Sequence, residues 1–192
     1  MIRREILLIA ILLVVIVVLA MAVQFFKPDI EEGDASKFVI EDLSDKYPSA
    51  DVGIMTITEK TNDAGDKYFE VKARVVKNHD SPCPVRSHVY YNYPVQNFIP
   101  QPPDVITSGC KVCTEGICNL AFPEEAVIAS HTFEGTEDVQ AYLDENKDAV
   151  PYVDEELDFW KVTWISEDAQ LYYIVEIHRN GTLIDISSVM NV

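Results

Sequence analysis

The residues with the most evident chemistry in this chain of 192 residues are four cysteines, at 83, 110, 113 and 118. Three chemistries suit them. In an oxidising compartment an even count reads as two disulfides. Spacing favours Cys113 with Cys118, closing a tight turn across Thr114-Glu115-Gly116-Ile117. Cys83 then pairs with Cys110, closing a loop of about 28 residues. The second chemistry is a redox dithiol in Cys110-Lys111-Val112-Cys113. A C-x-x-C dithiol needs a lowered thiol pKa, usually at a helix N-terminus. Here Gly109 precedes the motif and Thr114-Glu115-Gly116 follows it, which suits a turn. The third is a zinc site from all four cysteines, with His88 as a further ligand. Zinc knuckles normally show two C-x-x-C pairs, and Cys83 stands alone.

Other reactive types are scattered. The histidines at 79, 88, 131 and 178 lack H-x-x-x-H or H-E-x-x-H spacing, and there is no G-x-S-x-G or phosphate-cradling glycine loop. Glu124-Glu125 and Asp154-Glu155-Glu156 are adjacent acids of the kind found solvated or at helix starts. No residue is assigned a catalytic role, and no metal or cofactor is assigned. Asn180-Gly181-Thr182 is an N-x-T sequon at a turn, so Asn180 is a glycan acceptor if the chain meets that machinery. Tyr90, Tyr91, Tyr93 and Phe98 form an aromatic contact patch beside Pro94 and the prolines at 100, 102 and 103. Alternate strand residues face opposite ways, so some of these rings belong to the core.

The elements that must position these residues are read from periodicity. Asp34 caps a helix to about Tyr47, with Phe38, Val39, Leu43 and Tyr47 on one face. Strands follow at Asp51–Lys60, Tyr68–Lys77 and Val85–Tyr93. In the first, Val52, Ile54, Thr56 and Thr58 share a face. Residues 94–119 form a Cys/Pro-rich insert, too long for a bare loop. Helices at Pro123–Ser130 and Thr136–Asn146 precede three strands, Leu157–Ile165, Leu171–His178 and Thr182–Val189. Trp160, Val162 and Trp164 share a core face, and Asn180-Gly181 calls for a type I′ hairpin turn. The fold class is α+β, helix on antiparallel sheet, in the order α-β-β-β, insert, α-α-β-β-β. The halves 35–93 and 120–192 are either a duplication or one sheet built from two parts.

The N-terminus reads as a single transmembrane helix. Ile6 to Val23 is 18 consecutive apolar residues, and extension to Phe26 reaches about 31 Å, roughly the hydrocarbon thickness of a bilayer. Arg3 and Arg4 precede it and acids follow, which places the N-terminus in the cytoplasm and residues 35–192 outside as a single-pass protein of the cell membrane. On this reading residues 1–26 are cytoplasmic tip and anchor, and 27–34 a linker. A cleaved signal ending at Ala20-Met21-Ala22 and a pilin-like head are the competing readings. Residues 27–192 carry 13 of the 15 basic and 31 of the 32 acidic residues, a net charge of −18. Such a surface repels phosphate backbones, which excludes nucleic acid as an expected partner.

The stretch Trp160-Lys161-Val162-Thr163-Trp164, then Tyr172 to Ile177, then Asn180 to Ile184 resembles a PepSY-type or cystatin-like module over Thr136 to Val189. The resemblance implies an extracytoplasmic, non-catalytic module engaged in protein contact or protease regulation, and it transfers no functional residue. The middle segment from Cys83 to Cys113 resembles nothing of known function. The expected function is a membrane-anchored extracytoplasmic binding module with a protein partner. The alternatives are a thiol-disulfide oxidoreductase using Cys110 and Cys113, and a pilin-like structural subunit.

Overall fold

A computed structural model of the chain describes residues 11–19, 30–94, 101–114 and 118–190. The chain divides into two units, Met1–Glu31 and Glu32–Val192. In the first, residues 11–19 are helical (α1). The expected transmembrane helix is corrected here: among the described residues no helix is long and apolar enough to cross a membrane. The nine residues of α1 reach only about 14 Å, half of a hydrocarbon core. Residues 6–10 and 20–23 of the expected span lie outside the described residues.

The second unit holds two four-stranded antiparallel sheets, each lined on one face by helix. The first runs β1 (Asp51–Thr61), β2 (Lys67–Lys77), β3 (Val85–Tyr93) and β4 (Asp104–Val105) in spatial order. Helix α2 (Glu32–Lys46) packs on β1 and β2. Ala35, Val39 and Leu43, spaced by four, are fully buried on it. They form the stripe that a 3.6-residue period lays along one side. The alternating β2 sequence buries Phe69, Val71, Ala73 and Val75. The helix begins at Glu32, so Asp34 sits in its first turn and not at its cap, and residues 32–34 of the expected linker are helical.

A bulge corrects the expected face of β1. The register shifts between Ile54 and Thr56. Val52 and Ile54 stand opposite Val75 and Ala73, whereas Thr56 and Thr58 stand opposite Lys72 and Glu70. Directly opposed residues share a sheet face. Met55 is the extra residue, and it turns both threonines to the face away from α2.

The second sheet runs β5 (Val150–Glu155), β6 (Phe159–Ile165), β7 (Leu171–His178) and β8 (Leu183–Met190). Helices α3 (Pro123–Thr132) and α4 (Glu137–Glu145) lie against it. Trp160, Val162, Trp164, Val175 and Ile177 form the sheet side of its core, and Ala126, Ala129, Val139 and Leu143 the helix side. Each indole N–H is satisfied, Trp160 donating to the Leu120 carbonyl at 2.7 Å and Trp164 to Ser130 Oγ at 2.9 Å. Two sheets, with β4 and β5 added, replace the expected order of three strands per half and exclude one continuous sheet. The register of the β7–β8 link also differs from expectation. His178 N–H donates to Thr182 O and Gly181 N–H to His178 O. Gly181 is left-handed at φ 83° and Asn180 is not. This is a three-residue loop whose last residue forms a bulge, not a two-residue type I′ turn.

Candidate functional site

The cysteines pair as their spacing suggests, Cys83 with Cys110 and Cys113 with Cys118, each with Cα atoms 4.8 Å apart. The two sulfurs of the C-x-x-C therefore belong to different disulfides. Gly109, Cys110 and Cys113 are left-handed, at φ 65°, 58° and 56°, so the motif lies in a turn with no helix N-terminus to stabilise a thiolate. The four-cysteine zinc grouping is not assembled. His88 lies on β3 opposite Arg74, on the face away from α2.

The histidine that does meet a cysteine is His131, at the end of α3. Its Nε2 is 3.4 Å from Cys110 Sγ and its Nδ1 is 2.9 Å from the Val127 carbonyl. A carbonyl only accepts, so Nδ1 carries the proton and the Nε2 lone pair faces the sulfur. Burial holds the His131 pKa below the ordinary 6.5, against a weaker upward pull from the Val127 hydrogen bond. Trp164 sets its ring edge-on at 5.7 Å. Cys83, Cys110 and His131 bring their three donor atoms within 4.8 Å of one another. They border a 310 Å³ cavity that Pro82, Asp144 and Lys147 also line. Nothing in sequence spacing flagged His131, because the fold joins α3 to the insert.

The aromatic patch divides by strand alternation. Tyr91 and Tyr93 stand on the α2 face, opposite Val71 and Phe69, and Tyr90 stands on the other, opposite Lys72. Phe98 lies outside the described residues. Tyr91 donates to Asp42 Oδ2 at 2.5 Å, and Lys46 Nζ binds the same oxygen at 2.6 Å. Burial, then the Asp42 bond, pushes the Tyr91 hydroxyl pKa up. For Asp42, burial opposes ionisation, but the hydrogen bonds from Lys46 and Tyr91 outweigh it and lower its pKa. Tyr90 donates to Asp104 at 2.9 Å, a bond that raises its own pKa. Phe38 of α2 stacks near Tyr93 at 5.3 Å.

These rings border an open cleft of about 790 Å³. Asp42, Lys46 and Tyr91 line it on the helix side of the sheet, and Lys72, Tyr90 and Asn92 on the other. It reaches both faces because β4 pairs with β3 only at Ser87 and His88. Beyond His88, the outer edge of β3 has no backbone partner among the described residues.

Glu124 and Glu125 stand in the first turn of α3, one of the two placements expected of them, and are not solvated there. Arg86, 3% exposed, gives Nη1 to Glu124 at 3.1 Å and Nη2 to Glu125 at 2.6 Å. Arg74 bridges Glu124 at 3.3 Å and Asp51 at 2.5 Å. The Arg86 guanidinium lies 4.2 Å from the Phe122 ring centre. Glu125 also accepts from the Ala121 and Phe122 amides, closing the start of α3. This network ties the first sheet to the helix covering the second. Asn180 is exposed at the tip of the β7–β8 hairpin.

Compared with protein-family models, with known proteins and with solved structures, the chain matches none.

Proposed function

We propose that residues 32–192 form a protein-interaction module that takes up an extended polypeptide segment along the outer edge of β3, without catalysis. The observation that carries this reading is the cleft's reach to both faces of the sheet around that edge. Side chains of an added strand alternate between the faces, so an extended segment fills both halves of such a cleft at once. Backbone groups of residues 89–93 supply the ladder, and Tyr90 and Tyr91 supply aromatic contact at low entropic cost. Lys46 and Lys72 balance Asp42 and Glu70 in the lining, so a segment of modest charge fits best. The resemblance of Thr136 to Val189 to PepSY-type modules agrees with protein contact. The two disulfides support an extracytoplasmic setting, where thiols oxidise. A dithiol enzyme built on Cys110 and Cys113 lacks support, because the two residues do not pair with each other.

The test is a displayed library of random linear peptides selected on the whole chain, with hits mapped by amide hydrogen exchange. Protection should centre on residues 89–93, and Tyr90→Ala should weaken binding at least about tenfold, the scale of an aromatic hot spot. Hits that protect the outer face of the second sheet, or that ignore Tyr90, would refute the reading.

A further inference from the structure

The cavity beside Cys83, Cys110 and His131 holds more than a structural crosslink. We propose that reduction of the Cys83–Cys110 disulfide converts this place into a Zn2+ site of two thiolates and one imidazole, with a fourth position open to the cavity. The proposal stands independently of the peptide-docking reading, which concerns residues 89–93 of β3, none of which lines this cavity.

Three features of this place are what such a site requires. The first is donor proximity, since all three ligand atoms lie within 4.8 Å of one another. In a tetrahedral zinc site, bonds of about 2.3 Å to sulfur and 2.0 Å to nitrogen place donors roughly 3.5–3.8 Å apart. Freed from the disulfide, the sulfurs reach that separation by side-chain rotation, with Cα atoms 4.8 Å apart at the outset. The second is tautomer. The Val127 carbonyl fixes the proton on Nδ1 and leaves Nε2 as the donor atom. Metal-ligating histidines are normally held in this way by a backbone carbonyl or carboxylate on the far nitrogen. The third is access. The 310 Å³ cavity leads to the sulfurs and admits both a reductant and the ion.

The chemistry balances. A small dithiol attacks the disulfide through a mixed disulfide and leaves as its own cyclic disulfide, delivering two electrons and two protons to Cys83 and Cys110. Zn2+ then displaces the two thiol protons, which pass to solvent, while His131 binds without proton loss. Water completes four-coordination. Two thiolates with one imidazole select zinc over hard cations such as Mg2+ or Ca2+. The oxidised protein is the metal-free form, so the site is gated by redox state.

The test uses the whole chain. Oxidised and dithiol-reduced protein, freed of reductant under anaerobic conditions, are titrated with Zn2+, and in parallel with Co2+ as a spectroscopic probe. The expectation is one Zn2+ per reduced chain and none per oxidised chain. Reduced protein with Co2+ should show a thiolate-to-metal charge-transfer band and the intense visible bands of tetrahedral cobalt. Bound zinc should shield Cys83 and Cys110 from alkylation and leave Cys113 and Cys118 reactive. His131→Ala, checked for folding in its oxidised form, should weaken zinc binding more than about tenfold and shift the cobalt spectrum. The Cys113→Ser/Cys118→Ser double variant should bind as the native chain does. If His131→Ala fails to fold, the alkylation pattern of the native chain decides alone. Failure of the reduced chain to bind zinc, shielding of Cys113 and Cys118 instead, or unchanged binding by a folded His131→Ala would overturn the proposal.

Discussion

Gly181 stands against Cys118 so closely that a Cβ on it would lie 2.5 Å from the cysteine's Sγ. The same Cβ would come 3.2 Å from the Phe133 ring. The glycine that bends the β7–β8 hairpin is also the floor on which the Cys113–Cys118 disulfide rests, and Leu120 N–H ties the chain beyond it to the Arg179 carbonyl at 2.7 Å. Gly181→Ala must therefore bear a left-handed backbone and a collision together. Roughly 2–4 kcal/mol of destabilisation is expected in denaturant unfolding, adding backbone strain to overpacking. A loss below about half a kcal/mol would show that the insert yields freely at this point.

Removing the Trp164 indole should cost about 3–5 kcal/mol, since the side chain is fully buried and donates to Ser130. Both tryptophans are buried in the second sheet's core, so native fluorescence should be blue-shifted and protected from iodide. Red-shifted, fully quenchable emission would contradict that packing.

Glu124 holds two arginines, and Arg86 is as buried as the glutamate itself. Glu124→Ala leaves Arg86 to Glu125 alone and Arg74 to Asp51 alone, and should cost roughly 1–3 kcal/mol, the penalty for a buried polar group that loses a partner. The pair replacement Arg86→Met with Glu124→Leu should cost less than Glu124→Ala alone, because it removes the buried guanidinium while Glu125 keeps its two amide donors and Arg74 keeps Asp51. Equal losses in a double-mutant comparison would count against the pair as the source of the penalty.

Acidification should weaken the fold in two stages. His131 and His88 are held below the ordinary 6.5, each chiefly by burial. In the unfolded chain they take up protons near that value, while the folded chain resists until lower pH. The unfolded state then binds more protons, so stability falls as pH drops below 6.5. Asp42 has its pKa lowered and contributes only once pH falls below its ordinary 3.8. Urea unfolding at about pH 7.5 and about pH 5 should show a lower midpoint at the acid value, with a smaller difference for His131→Gln. A midpoint unchanged or higher at the acid value would rule out the buried neutral imidazoles.

Much of the scaffold was legible because it is periodic. Alternation in β2 and in Trp160-Lys161-Val162-Thr163-Trp164 marks faces that are in fact buried, and cysteine spacing alone favoured the pairing found. What escaped was either short or made at a distance. Met55 looks like any strand residue, and only pairing with β2 reveals it as a bulge. Val150-Pro151-Tyr152-Val153 carries a proline that argues against a strand, yet β5 is an edge, where a missing N–H is tolerated. Two-residue β4 leaves no pattern. Glu124-Glu125 reads as solvated acid or as acid at a helix start; the helix start is where the pair stands, but its ion-pair partners, Arg74 and Arg86, lie in strands far earlier in the chain and left no local signal. His131 reads as an ordinary helix-end residue until α3 meets the insert. The apolar N-terminal run outlined a membrane span that the described helix is too short to supply.

The Arg86–Glu124 link bears on whether this molecule can be treated as two pieces. Each half has its own sheet and its own helical cover, α2 on the first and α3 with α4 on the second. Yet buried ions meet across them, Arg86 from the first and Glu124 and Glu125 from the second. Separated, either half would bare to water a charge whose ion-pair partner lies on the other. The ion pairs therefore give two fragments made separately a specific contact through which to find one another.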